Sequence, residues 1–234
     1  QVRTKAAELG GTAVIDEALL DEVSSLVEWP RALAGRFEQR FLEVPAEALI
    51  SSMKQHQKYF HVVDATGALL PYFITVSDID SGDTQKVVEG NGRVIRPRLT
   101  DAAFFFAQDK QSTLEARRER LRDIVFQPDL GSIWDKTERV AKLARTIGAE
   151  LGADPALCAR AAQLSKSDLV SEMVLEFDEL QGIMGSYYAL NDGEDPAVAQ
   201  ALTEQYLPRQ AGDALAQSKV GIALALADRL ATLT

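Results

Sequence analysis

Three arginines on one short stretch offer the clearest anion-binding chemistry in this sequence. Arg93, Arg96 and Arg98 flank Pro97, and a proline within a helical pattern predicts a break where guanidinium groups project from a bent backbone. The planar guanidinium fork suits phosphate oxygens. We therefore predict that these arginines contact the sugar–phosphate backbone of an RNA and lie together on one exposed face. The alternative is that they pair with acidic residues at helical spacing.

A second cluster combines cations with aromatic rings. Lys54, His56 and Lys58 lie beside Tyr59 and Phe60, at a predicted helix-to-strand junction. Cations bind phosphates and aromatic rings stack on bases, so Lys54, His56 and Lys58 are further candidates for RNA binding. The alternative places Phe60 in the core and His56 on a helix face whose polar groups are already satisfied.

Residue types for other chemistries are missing from the sequence. It contains no glycine-rich phosphate loop with its lysine, no nucleophile-elbow serine and no zinc-spaced Cys/His set. A single cysteine, Cys158, excludes an internal disulfide, and two histidines leave little material for a histidine-rich metal centre. We therefore predict no catalytic residue, no metal site and no cofactor in this segment.

Composition limits the class of protein. The chain has 234 residues, of which 46% are hydrophobic and 26% charged, as is typical of globular proteins. The net charge of −10 argues against a surface that grips nucleic acid everywhere, so any such contact must be local. No apolar run is long enough to span a membrane. The low cysteine content indicates a cytoplasmic protein.

The positioning elements follow from periodicity and turn residues. In the first half we predict a helix over 15–28, a strand over 36–44, a helix from Pro45 to about 57, and a hairpin of strands 58–63 and 69–76. A helical segment over 87–108 is predicted to break at Pro97. Residues 127–131 are a predicted linker, and capping residues at Ser132, Asp154, Asp195 and Ser218 predict the starts of helices in the second half.

Charge and element content predict two domains. Residues 1–126 carry 16 basic and 19 acidic residues, and residues 127–234 carry 9 and 16, for net charges of −3 and −7. The predicted fold class is α+β and helix-dominated. A mixed α/β module covers 1–126, and an all-helical domain covers 127–234, truncated at its C-terminus because a helical pattern is still running there.

Several long blocks in order resemble the beta subunit of bacterial heterotetrameric glycyl-tRNA synthetase. The resemblance covers nearly the whole chain, from Leu26-Val27-Glu28-Trp29-Pro30 to Ala225-Leu226-Ala227-Asp228-Arg229-Leu230. The most specific blocks are residues 49–60 (LISSMKQHQKYF), 89–102 (EGNGRVIRPRLTDA), 177–185 (FDELQGIMG) and 206–209 (YLPR).

The resemblance implies a role in joining glycine to its cognate tRNA, tRNA(Gly), with ATP and Mg as cofactors of the whole enzyme. In this family the alpha subunit activates glycine, and the beta subunit mainly binds and positions tRNA. The family beta chain is much longer, so the sequence resembles an internal fragment. The expected partners are the alpha subunit and tRNA(Gly), with no DNA and no membrane. Residues 1–126 resemble an editing-like module, and 127–234 an HD-like domain.

The name HD refers to a metal-dependent phosphohydrolase with a His…His-Asp…Asp ligand set, which can be compared position by position. Lys136 stands where the first histidine is expected, and Ser165-Lys166 stands in place of His-Asp; Asp228 alone fits. An ammonium group is no ligand for a divalent cation, so the resemblance implies a retained fold without the reaction.

Three functions remain open on the sequence. The first is a non-catalytic tRNA-positioning segment. The second is a scaffold for subunit assembly that touches no RNA, which the net charge of −7 over 127–234 favours. The third, a residual metal-dependent phosphohydrolase, lacks most of its ligands. An acidic face formed by Asp168, Glu172, Glu176, Asp178 and Glu179 is a candidate contact with a basic partner, or is a solvated face. An exposed turn over 182–185 could dock another chain or tRNA, or could let two helices approach closely.

Overall fold

The computed structural model describes residues 1–233, which fall into two compact units. The first is Gln1–Phe105 and the second begins at Phe106. The predicted class, α+β and dominated by helices, is confirmed. The domain boundary predicted from the sequence lies between residues 126 and 127, and not between 105 and 106. The assignment of the two domains as editing-like and HD-like modules stays a prediction. None of the described helices is long and apolar enough to cross a lipid bilayer.

The first unit is a four-stranded antiparallel sheet with helices against it. Its strands are β1 (Thr12–Ala13), β2 (Arg31–Arg36), β3 (Phe60–Val63) and β4 (Leu69–Ser77), in the order β1-β3-β4-β2. Its helices are α1 (Val2–Glu8), α2 (Glu17–Leu26), α3 (Ala46–Ser51) and α4 (Thr84–Asp109), the last of which continues past the end of the unit. The predicted hairpin of β3 and β4 is confirmed, with Phe60 opposite Ile74.

Strand alternation supplies the core of this unit. Phe60, Val62 and Ile74 are fully buried in a cluster with Leu19 and Val23 of α2. Burial of each such side chain contributes about 1.5–3 kcal/mol. On β2, a Cβ at Gly35 would lie 2.1 Å from the Phe73 ring, so only glycine fits beside that ring. The packing of β3 in this sheet therefore fixes the position of the segment just before it, which carries Lys58.

Two predictions in this unit are wrong. Residues 36–44 are not a strand: β2 ends at Arg36 and a 3₁₀ helix covers Gln39–Glu43. Small residues, alanine and glycine, hide the real strand, while buried Phe37, Phe41 and Val44 follow helical spacing. The second wrong prediction is the break at Pro97, because α4 runs through this residue. The proline ring lies on the exposed side of the helix, and the cost of the proline is the one hydrogen bond that its missing N–H cannot donate.

The second unit is a bundle of helices. They are α5 (Leu114–Arg118), α6 (Ile133–Glu150), α7 (Pro155–Leu164), α8 (Glu172–Glu176), α9 (Ile183–Asn191), α10 (Pro196–Glu204) and α11 (Lys219–Leu233). The predicted N-caps are confirmed: Ser132 forms a capping box with Asp135, and Asp154 and Asp195 each cap a helix that starts at proline. A Cβ at Gly148 would lie 2.4 Å from the Cys158 sulfur, so α6 and α7 meet through these two small residues.

The start of the predicted all-helical region differs from the prediction. The expected linker over 127–131 lies within a short hairpin, in which β5 (Val125–Gln127) pairs with β6 (Gly131–Ser132). The Gln127 side chain accepts hydrogen bonds from the backbone N–H groups of Asp129 and Leu130, and these bonds order the turn. Strands this short carry too few residues for an alternating pattern to be visible in the sequence.

A buried carboxylate organises the centre of the second unit. Asp109, only 3% exposed, accepts hydrogen bonds from the Tyr188 hydroxyl at 2.6 Å and from the backbone N–H groups of Glu172 and Met173 at 3.0 Å. The Arg117 guanidinium lies 3.3 Å from the same carboxylate. Asp109 therefore joins the end of α4 to α5, α8 and α9.

We predict that Asp109→Asn destabilises the protein by about 3–5 kcal/mol, since it leaves the buried Arg117 charge without its counter-ion. Urea unfolding followed by circular dichroism measures the change. The matched control is Asp123→Asn at an exposed position in the same unit, which we expect to stay within about 0.5 kcal/mol of wild type. Equal effects of the two substitutions would contradict the organising role of Asp109.

Candidate nucleic-acid interface and a lysine-bridged helical centre

The three predicted arginines all lie on the exposed surface of α4. Arg93 and Arg96 are one helical turn apart, with side chains 80% and 65% exposed. Because α4 is continuous, Arg98 lies about 140° around the helix from Arg93. The prediction that the three arginines share one face is therefore wrong. Arg93 and Arg96 remain as a pair on the outer side of the helix.

Each arginine of this pair has an acidic neighbour. Arg93 lies 3.9 Å from Glu89 on the preceding turn, and Arg96 lies 2.9 Å from Glu38. Ion pairs this exposed contribute about 0–1 kcal/mol, so a phosphate can displace the carboxylates at small cost. The alternative interpretation, pairing at helical spacing, therefore describes Arg93 in the absence of a ligand and does not exclude an anion site.

The second predicted cluster lies at a π-helical turn, Ser52–His56, that continues α3. Both of its lysines form ion pairs at α2: Lys54 lies 2.5 Å from Asp16, the N-cap of that helix, and Lys58 lies 2.8 Å from Glu22. Their side chains are about two-fifths exposed, whereas His56 is exposed. The side chains of Lys54 and Lys58 are therefore less exposed than those of Arg93 and Arg96, and a ligand would displace their ion pairs less easily.

The aromatic residues of that cluster belong to the core. Tyr59 and Phe60 are 2% and 0% exposed, and Tyr59 stacks on Phe73 with ring centroids 4.8 Å apart. Burial raises the pKa of Tyr59 to about 12. Its hydroxyl donates to the Asn91 side chain of α4 at 2.5 Å. This contact, which the sequence did not reveal, connects the two predicted clusters, and it leaves neither ring available for stacking on a base.

Four further arginines, between residues 117 and 122, act within the second unit. Arg117 and Arg118 are buried, and Arg122 stacks against Trp134 with its guanidinium carbon 3.6 Å from the ring centroid. The hydrogen bonds are from Arg117 to Asp109, Arg118 to the Gln163 carbonyl, Arg120 to the Val170 carbonyl and Arg122 to Glu119. These four arginines are therefore engaged in contacts within the second unit.

Three of the four positions compared with the HD ligand set come together in the second unit. Lys136 of α6 lies 2.9 Å from one carboxylate oxygen of Asp228 on α11, and Lys166, just after α7, lies 3.4 Å from the other. Both ammonium groups lie close to an aromatic ring, 4.6 Å from Phe126 and 4.2 Å from Tyr206. We call Lys136, Lys166 and Asp228 the lysine bridge.

Burial sets the electrostatics of the lysine bridge. Burial alone would raise the pKa of Asp228, but Lys166 and Lys136 outweigh it and hold that pKa below its usual range. Burial lowers the pKa of Lys166, and Asp228 opposes this shift. The two cations therefore stabilise the ionised carboxylate, and the carboxylate links α6, α7 and α11.

The chemistry of this centre does not suit a divalent cation. Two of its three charged groups are ammonium groups, which are donors without a lone pair while protonated. Ser165 is buried and bonds to the Ala162 carbonyl. Among residues 1–233, no group of three or more His, Cys, Asp or Glu side chains is arranged to hold a metal ion.

Two sequence-based surface predictions in this region are wrong. Asp168 does not belong to an exposed acidic face: it is 1% exposed and accepts hydrogen bonds from the N–H groups of Gly182 and Gly185 at 2.6 and 3.1 Å. Nor is the turn over 182–185 fully exposed, because Met184 is buried. A Cβ at Gly182 would lie 2.5 Å from the Leu202 carbonyl, which agrees with the alternative that this turn lets two helices approach closely. Glu172, Glu176 and Asp178 remain exposed.

We predict that Asp228→Asn destabilises the protein by about 3 kcal/mol, because two buried ammonium groups lose their counter-ion. The triple variant with Lys136→Met, Lys166→Met and Asp228→Leu should be far less destabilised, since no buried charge is left unpaired. Glu150→Gln, at an exposed position of α6, is the control for the loss of one carboxylate. Urea unfolding of all four proteins at pH 7 makes the comparison.

The pH dependence has a definite sign. Because the pKa of Asp228 is lower in the folded state than its ordinary value of 3.8, its stabilisation is complete above that value. It is lost as the pH falls through the folded pKa, and Asp228→Asn should remove this component of acid sensitivity. An asparagine variant as stable as wild type at pH 7 would contradict a structural role for the bridge.

Comparison with known proteins identifies the family. A family model described as glycyl-tRNA synthetase beta subunit matches residues 1–234. The chain is 63% identical over 226 residues to the glycine–tRNA ligase beta subunit of Marinobacter nauticus, covering 97% of this chain and 33% of that protein. It is 60% identical to that of Hahella chejuensis and 54% identical to that of Acinetobacter baumannii, covering 100% of this chain and 34% of each. The chain thus spans about a third of these relatives, and it belongs to the glycyl-tRNA synthetase beta subunit family.

Proposed function

We propose that this chain is a tRNA-positioning segment of a cytoplasmic glycine–tRNA ligase, contributing contact with tRNA(Gly) and no bond-making residue. In this proposal the alpha subunit activates glycine with ATP and Mg, and the whole enzyme transfers glycine to the tRNA. Residues 1–126 would form an editing-like module and 127–234 an HD-like domain that has lost its reaction. The single observation that carries the proposal is the exposed pair Arg93 and Arg96 on the outer side of α4.

The geometry of that pair suits a phosphate backbone. The two residues are three apart on one helix, so their Cα atoms are about 5 Å apart and both guanidinium groups can reach one strand. Their carboxylate partners are exposed, and charge-assisted bonds to phosphate are stronger than exposed ion pairs. Arg98, Lys54, His56 and Lys58 stay as predicted contacts of the same RNA. Lys54 and Lys58 would have to exchange their α2 partners for phosphate.

The lysine bridge supports a non-catalytic role for the helical unit. A metal-dependent hydrolase needs ligands that donate lone pairs, whereas Lys136 and Lys166 present protonated ammonium groups to Asp228. The positions that would hold the metal are instead used to fasten three helices. The phosphohydrolase alternative therefore finds no support in the described residues.

The scaffold alternative rests on a different surface. Leu175 is 65% exposed on α8, between the exposed acidic residues Glu172 and Glu176. An apolar residue with acidic neighbours suits a basic protein surface better than it suits RNA. A scaffold that touches no RNA would leave tRNA binding insensitive to Arg93 and Arg96, and Leu175→Glu would weaken assembly with the alpha subunit.

We predict that Arg93→Glu with Arg96→Glu, introduced in the complete enzyme, raises KM for tRNA(Gly) at least about tenfold, the order expected for losing two charge-assisted hydrogen bonds. Glycine-dependent ATP–pyrophosphate exchange should stay near the wild-type rate, because that half-reaction needs no tRNA. Steady-state aminoacylation and exchange assays measure the two quantities.

The matched control is Lys142→Glu with Arg145→Glu. These residues lie on the exposed surface of α6, so the control changes the net charge equally at a place with no predicted RNA contact. Unchanged aminoacylation by the α4 variant, or an equal rise in KM with the α6 variant, would overturn the proposed role of Arg93 and Arg96.

A further inference from the structure

The outer side of α4 lacks a side chain where a helix would gain stability from one. Gly90 is in the interior of the helix, where glycine is less favourable than alanine. A Cβ built at Gly90 meets no atom within 4 Å, and the backbone does not have the positive φ that favours glycine. Neither close packing nor backbone conformation within the described residues accounts for this glycine.

The same side of the helix also carries an unusual carbonyl. Pro97 has no N–H, so it cannot donate the α-helical hydrogen bond to the Arg93 carbonyl. Pro97 itself is exposed. At about 100° per residue, Gly90, Arg93 and Pro97 lie within about 60° of one another, along about 10 Å of helix. We call this surface the bare strip.

The bare strip combines three properties that one ligand can use. A bulky group can approach the helix backbone at Gly90, because glycine leaves the backbone uncovered. The Arg93 carbonyl can accept a hydrogen bond. The Arg93 side chain can donate to anionic oxygens, and so can that of Arg96, which lies beside the strip about 60° further around the helix. A chain of riboses and phosphates offers the complementary groups, since each 2′-hydroxyl is a donor and each phosphate an acceptor.

We propose that the bare strip is a close-approach surface for the ribose–phosphate backbone of RNA, with a ribose against Gly90 and phosphates on Arg93 and Arg96. This inference rests on the proposed function and adds to it which part of the RNA is touched and why DNA would bind less well. In this inference, Gly90 makes the helix less stable than alanine would, but it allows the RNA to approach the helix backbone.

The test is to add side-chain volume at Gly90 without changing charge. Gly90→Ala should raise the melting temperature of the chain, because alanine is the better helix former, and yet weaken binding of an unmodified tRNA(Gly) transcript. Gly90→Leu should weaken binding about fivefold or more, as expected for atoms forced into a closed contact. The alanine variant, which removes no contact, also guards against misfolding of the leucine variant.

Gly82 provides the matched control. It lies in the loop ahead of α4, and a Cβ there also meets no atom within 4 Å. Gly82→Leu should bind the transcript as wild type does. A DNA hairpin of the same sequence as an RNA hairpin tests the 2′-hydroxyl: its affinity should be lower, and it should change less with Gly90→Leu.

The outcomes separate this inference from the proposed function. Wild-type RNA affinity of Gly90→Leu, with weak binding by Arg93→Glu and Arg96→Glu, would overturn the inference alone. Wild-type affinity of both would overturn both. If Gly90→Leu bound RNA normally and assembled poorly with the alpha subunit, the bare strip would be a protein contact and the inference would be wrong. Weaker binding by Gly90→Leu, with Gly82→Leu unchanged, supports it.

Discussion

The lysine bridge is the interaction on which the helical unit depends. A carboxylate and two ammonium groups removed from water are costly unless they satisfy one another, and here Asp228 receives Lys136 and Lys166 from two different segments. The same three groups that hold α6, α7 and α11 together offer poor ligands for a divalent cation, because a protonated lysine has no lone pair to donate. In the proposed function, the packing of these helices and the loss of the phosphohydrolase reaction share this physical cause.

Most of the other charged side chains discussed above also form contacts within the protein. Arg117 and Arg118 are buried against acidic partners in the second unit, and Lys54 and Lys58 pair with Asp16 and Glu22. Charges used in this way hold elements in place and give little affinity for a ligand. Arg93 and Arg96 differ, because their exposed pairs cost little to break and the helix beneath them leaves its backbone open at Gly90. The proposed binding of an anion is therefore local, as the net charge of −10 requires.

The sequence predicted what local patterns determine. The β3–β4 hairpin, the capped starts of α6, α7 and α10 and the helix-dominated α+β class all follow from alternation, turn residues and caps. Tertiary packing decided the rest. The small residues of β2, which fit beside Phe73, gave no strand pattern in the sequence. Nothing in the sequence showed that Asp168 is buried and accepts hydrogen bonds from the Gly182 and Gly185 N–H groups. The four HD-like positions could be located in the sequence, but only the structure brings Lys136 and Lys166 onto Asp228.

The most direct test of the central claim is the salt dependence of tRNA(Gly) binding by this chain, measured beside Arg93→Gln with Arg96→Gln. If these side chains contact phosphates, log K for the wild type falls steeply with log salt, and the slope for the double variant is smaller by about 2, roughly one for each lost phosphate contact. An identical slope for the two proteins, or wild-type binding that does not respond to salt, would contradict the account and place the RNA contacts elsewhere.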